Sequence, residues 1–151
     1  MRTYEAAINR ATSAAAGPIA TLVEPSGGRR SSLLELGIFV GSAPASGPEV
    51  GIGLPGNTPA GTLTGTTVTA NDPTDETGTG VLVTTFGTTQ PTAPASFRRR
   101  ILLPAVIGAG IVWTWERGEI AIPINAFNQG LVIWQITALV VTYDVYVKLS
   151  E

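Results

Sequence analysis

Apolar and polar side chains alternate along much of this chain with a period of two residues, the spacing of a half-buried β-strand. The pattern is clearest near the end. Val141, Tyr143, Val145, Val147 and Leu149 are apolar, while Thr142, Asp144, Tyr146 and Lys148 between them are polar or amphipathic. Just before, Leu131-Val132-Ile133-Trp134-Gln135-Ile136 is apolar on both faces and predicts a central strand covered on each side. The intervening Thr137-Ala138-Leu139 has no strong turn residue, and pattern alone predicts a hairpin there. Upstream, Ile120, Ile122 and Ile124 share a face ahead of a turn at Ala126-Phe127-Asn128-Gln129-Gly130. Ile111, Trp113 and Trp115 share another ahead of the turn Arg117-Gly118, and Phe97 to Leu103 forms a strand stopped by Pro104.

The first half repeats the theme more loosely. Tyr4, Ala6 and Ile8 alternate with Thr3, Glu5, Ala7 and Asn9 and predict a first strand. A helix over the first dozen residues is the lesser option, raised by the weak strand propensity of Glu5, Ala6 and Ala7. Ile19 to Glu24 lies between Pro18 and Pro25. Leu34, Leu36, Ile38 and Val40 are in register within Ser31 to Val40, and Val50, Ile52 and Leu54 alternate with glycines. From 41 to 80 runs a Gly/Pro/Thr/Ser/Asn-rich tract. So long a structureless loop is unusual in a compact domain, so a Thr-rich strand from Thr62 to Ala70 is expected inside it, flanked by two long loops. No fixed-period repeat appears, which argues against a solenoid or propeller. The prediction is an all-β, antiparallel β-sandwich or barrel of about eight strands with long polar loops, one domain over residues 1–151.

Composition narrows the function. Histidine and cysteine are absent and Lys148 is the single lysine. A Ser-His or Cys-His nucleophile, a thiolate or imidazole zinc site and a disulfide are therefore excluded, and no catalytic residue, metal ligand set or cofactor is expected. Charged residues are only 13% of the chain against 44% hydrophobic ones. A surface this poor in charge suits subunit packing, because few ions need desolvating. The net charge of −2 argues against nucleic acid as a partner. Ile101 to Trp115 is too short and too interrupted to span a bilayer, and Pro123, Asn125, Asn128, Gln129 and Gly130 divide the uncharged run from Ile120 to Tyr143. Neither a targeting segment nor a membrane partner is expected, and the protein reads as soluble.

Several constellations merit weighing as sites. Asp72, Asp75 and Glu76 in a Gly-rich tract are hard ligands suited to calcium, although a solvated acidic loop is the commoner outcome. Glu116 and Glu119 flank the Arg117-Gly118 turn, and paired carboxylates are the machinery of glycosidases, but charged shoulders on hairpins are far commoner. Trp113, Trp115 and Trp134 suit a sugar platform if exposed and a core if not. The eight arginines include the clusters Arg29-Arg30 and Arg98-Arg99-Arg100. On a strand, Arg98 and Arg100 share a face with Leu102, and Arg99 shares one with Phe97 and Ile101. An arginine in a core-facing register needs partners at a sheet edge or across a subunit boundary, which makes Arg98, Arg99 and Arg100 candidate interface residues.

Two stretches carry a family likeness. Arg100-Ile101-Leu102-Leu103-Pro104, followed by Gly108-Ala109-Gly110-Ile111-Val112-Trp113-Thr114-Trp115, and the run from Ile122-Pro123 to Gly130-Leu131-Val132-Ile133-Trp134, together resemble small β-rich virion proteins of tailed bacteriophages, the capsid decoration or accessory proteins. The resemblance implies a jelly-roll-like fold on the capsid surface. Its implied partners are the major capsid protein and further copies of the chain, with a trimer favoured. It implies a location on the virion, and in host cytoplasm during assembly. The physical role would be that of a cement, stabilising the shell by binding only its assembled, expanded form. The N-terminal segment and the 41–80 loops would be the natural contact arms. The alternative is a carbohydrate- or receptor-binding β-sandwich.

Overall fold

A computed structural model describes residues 2–12, 14–23, 30–56, 64–76, 78, 81–85, 89–122 and 131–151. These residues form twelve strands and no helix. In chain order the strands are β1 (Thr3–Ala11), β2 (Gly17–Val23), β3 (Ser31–Val40), β4 (Glu49–Gly53), β5 (Thr64–Thr67), β6 (Thr69–Ala70), β7 (Val81–Thr85), β8 (Phe97–Leu102), β9 (Gly110–Thr114), β10 (Ala121–Ile122), β11 (Leu131–Gln135) and β12 (Thr142–Ser150). They build two antiparallel sheets. The first runs β10-β3-β12-β1-β6, with β9 on the same side of β3 as β10. The second runs β5-β7-β2-β11-β4-β8.

The sheets face each other across one apolar core. Tyr4, Leu36, Ile38, Tyr143, Val145, Val147 and Leu149 come from the first; Ile19, Leu22, Ile52, Leu82 and Ile133 come from the second. Each aliphatic side chain buried there contributes about 1.5–3 kcal/mol relative to exposure. The alternation of β12 is realised, with its odd positions from Val141 to Leu149 buried. Val23 and Val83 are buried in a second, smaller cluster with Val81. These residues, Thr21 and Val132 alternate with core-facing neighbours, so the second sheet is covered on both faces, as expected for Leu131–Gln135.

Four local expectations change. The segment from Thr137 to Leu139 is no hairpin: β11 pairs with β2 and β4 while β12 pairs with β1 and β3, so the chain crosses between sheets. In β3 a bulge at Leu34 leaves Leu33 fully buried and Leu34 half-buried, because Lys148 pairs with Glu35 and Leu149 with Leu33. In β8 a bulge at Arg98 puts Phe97 opposite Gly53 and Arg99 opposite Ile52. Phe97 therefore leaves the face of Arg99, and its ring occupies the space a side chain at Gly51 would fill. Finally, β7 adds a strand the pattern does not predict, and twelve strands replace about eight. The tract from 41 to 80 does hold Thr-rich β5 and β6, a single bent segment that crosses from one sheet to the other at buried Val68. The first strand is β1, not a helix. Arg29, the turn at 126–130 and Ile124 lie outside the described residues.

Candidate functional site

The arginine cluster lies on β8, the outermost strand of the second sheet. All three side chains are exposed, and each has a different environment. Arg100 donates from Nε to Glu49 Oε1 at 2.8 Å and also reaches that oxygen from Nη2, a cross-strand pair with its neighbour β4. Arg99 sits in a core-facing register, paired with Ile52, at the rim of the core. Among the described residues it meets no carboxylate. Its guanidinium carbon lies 5.7 Å from the centroid of the Trp115 ring, within cation–π range. Arg98, the bulged residue, has no side-chain partner among the described residues. Arg98 and Arg99 line a cleft with Trp115, Glu119 and Ile120 at this side of the molecule.

The acidic residues lie beyond β6, on the opposite side. Asp72 closes a small turn by accepting from the Thr74 amide at 2.9 Å and the Thr74 hydroxyl at 2.7 Å, bonds that hold its carboxyl below the usual range. Asp75 and Glu76 are engaged by Arg2, at 3.1 Å from its Nε and 3.1 Å from its Nη1 respectively. The bond to Glu76 raises the Arg2 guanidinium pKa above its ordinary value. Among the described residues no group of three or more carboxylates is placed to hold a metal ion.

Trp113 and Trp115 are buried, tilted at 59° to each other with ring centroids 6.5 Å apart, and belong to the core; Trp134 is half-buried. Glu116 and Glu119 shoulder a turn: the Glu119 amide donates to the Glu116 carbonyl, the Glu116 amide donates to Glu119 Oε2, and Gly118 takes a φ of 86°. Lys148 finds a cross-strand partner in Glu5, 3.6 Å away. Among the described residues no helix is long and apolar enough to cross a membrane.

A further surface emerges only from the fold. Strands β1, β3, β8 and β11 end, and β2, β4, β9 and β12 begin, at the same end of the molecule. The loops between them are stitched together. The Thr12 amide donates to the Val141 carbonyl, the Leu103 amide to Pro48, the Gly108 amide to Val40, and the Thr142 amide to Ser42 Oγ. Buried Gln135 accepts from the Thr12 hydroxyl at 2.8 Å and donates to the Leu139 carbonyl at 2.6 Å. Loop residues 12–16, 41–48, 103–109 and 136–141 contain no ionisable side chain. Val106, Ile107 and Val140 stand exposed on these loops at 61%, 62% and 64%, beside Leu102 at 66%. Aliphatic residues so exposed, on loops gathered at one end, mark a contact surface. The signal present in the sequence was the lack of any charged residue in all four loops, three of them rich in Ala, Pro, Gly or Ser.

Comparisons with protein-family models, with curated proteins and with solved structures found no match to this chain.

Proposed function

We propose that this protein is a virion structural protein, a capsid decoration protein that docks on the outer surface of a bacteriophage head through its uncharged loop end. One observation carries the reading: four neighbouring loops contain no charge, and two of them present Val106, Ile107 and Val140 to solvent, beside exposed Leu102 at the end of β8. Burying those side chains at a seam between capsid subunits gains apolar contact and desolvates no ion. A protein that binds the expanded shell and not its separated subunits stabilises the shell by mass action.

The strand order supports the jelly-roll form of this reading. Counting β9 with β10 as one edge and setting aside β5, β6 and β7, eight framework strands remain. Numbered along the chain, they stand in the order 1-8-3-6 in one sheet and 2-7-4-5 in the other. That is the two-sheet, double Greek-key pattern used by viral capsid and lectin domains, among others. Fold alone assigns no function, so the loop end and not the strand order bears the argument.

The test is co-sedimentation with purified expanded heads of the cognate phage, followed by calorimetry of the heads. Binding with a raised head melting temperature is expected. The double variant Val106→Asp, Ile107→Asp should lose binding at least tenfold while keeping its own melting transition, because both positions are exposed. Failure of the wild-type protein to sediment with heads, or full binding by the double variant, refutes the proposal.

A further inference from the structure

We propose that copies of this chain join head to tail, the β8 edge of one docking against the β5–β6 edge of the next. The partner is thus a second copy of the chain, and the interface is heterologous.

The two lateral sides of the molecule differ in the way such a contact needs. On one side β8 ends its sheet, and among the described residues no strand lies beside its outer backbone groups. It carries Arg98 without a partner among the described residues and Arg99 with an aromatic ring but no carboxylate, both opening on one cleft. Glu119 lines that cleft too, with Oε2 accepting from the Glu116 amide. On the other side, the bent β5–β6 segment closes the gap between the sheets. Around it Glu5, Asp72, Asp75 and Glu76 are matched by Arg2 and Lys148, leaving an acidic excess. Both charge sets lie in the half of the molecule away from the uncharged loop end. Arg99 pairs near the far end of β4, and the acidic turn follows Asn71, whose amide donates to the Thr3 carbonyl at the start of β1.

Charge selects the mode of association. A two-fold contact of β8 with β8 sets arginine against arginine, which is unfavourable for directly opposed like charges. The head-to-tail contact sets unpartnered guanidiniums against carboxylates. A heterologous contact repeated by rotation closes into a ring or runs on as a filament; a small ring, a trimer by expectation, leaves every loop end free on one face. Such a ring deepens the capsid reading by presenting several docking ends together. Its existence is tested without heads, so either proposal can fail while the other stands.

The competing view is that the edge arginines only discourage strand pairing and the chain stays monomeric. Light scattering at low ionic strength decides between them, using the wild type, Arg98→Glu, Asp72→Arg and an equimolar mixture of the two variants. The expected result is a wild-type mass of three or more chains and a monomer for each variant, with circular dichroism unchanged and a cooperative melting transition retained. The mixture should regain mass, since each variant supplies the charge the other lacks. Salt near 1 M, where the Debye length is about 3 Å, should dissociate the wild type without any substitution. A monomeric or dimeric wild type, a wild-type mass unmoved by salt, or an undiminished mass for Arg98→Glu overturns the proposal.

Discussion

Tyr146 shows how a single side chain ties a glycine, an ion and a pH limit together. Its ring lies across Gly37, where a Cβ would come within 2.1 Å of it, and stacks on Phe39 at 6.3 Å. Gly37 is therefore a seat for the ring. The Tyr146 hydroxyl donates to Glu35 Oε1 at 2.5 Å, and that bond, helped by burial, raises the phenol pKa from 10.0 to about 12. The folded state thus holds this proton more tightly than the unfolded chain. Stability from the neutral phenol is intact below pH 10 and is lost as pH climbs through about 12. Burial pushes Tyr143 the same way. Tyr146→Phe should cost about 1 kcal/mol at neutral pH, the size of one hydrogen bond, and should flatten the alkaline fall in stability. Thermal melts at a series of pH values check this, and parallel pH profiles for variant and wild type would exclude it. The alternation of β12 made the solvent-side position of Tyr146 readable, but Glu35 lies 111 residues away, so its partner was not.

At the scale of elements, strand pairing depends on contacts that local pattern does not encode. Gln135 ends β11 facing inward, fully buried, and joins the loop after β1 to the loop before β12. Removing it deletes two buried hydrogen bonds and opens a void, although the Thr12 hydroxyl keeps the Leu139 and Val141 carbonyls within reach at 3.1 and 3.0 Å. Gln135→Ala should therefore destabilise by about 2–3 kcal/mol in urea unfolding, and a loss under about 0.5 kcal/mol would show that the loops hold without it. The periods of β1, β3, β8, β9 and β12 were legible because a half-buried strand writes its face into every second residue, and β11 was legible as a run apolar on both faces. The bulges at Leu34 and Arg98 were not, since each depends on a neighbour's register. The short β7 escaped because Val81, Leu82 and Val83 sit between glycines and threonines and give no alternation. The supposed hairpin after β11 failed for a related reason: adjacency in sequence was mistaken for adjacency in a sheet.

For the molecule as a whole, the order of assembly is dominated by the ends of the chain. β12 lies between β1 and β3 and brings four apolar core residues, Tyr143, Val145, Val147 and Leu149, so the first sheet is incomplete until the last strand is in place. A chain shortened to end before Thr142 should show no cooperative thermal transition, whereas a sharp one would mean that the rest of the core suffices. Of the candidate site, the arginine edge was visible as a cluster of like residues. The loop end was not, because the loops that form it are far apart in sequence and only the crossing strands bring them to one end. Those four loops contain no group that gains or loses a proton and no thiol to oxidise. Acid, alkali and added salt consequently have no direct hold on a contact made there. Temperature does, since the attraction between apolar surfaces weakens on cooling. An attachment through these loops is one that cold, rather than pH, would loosen.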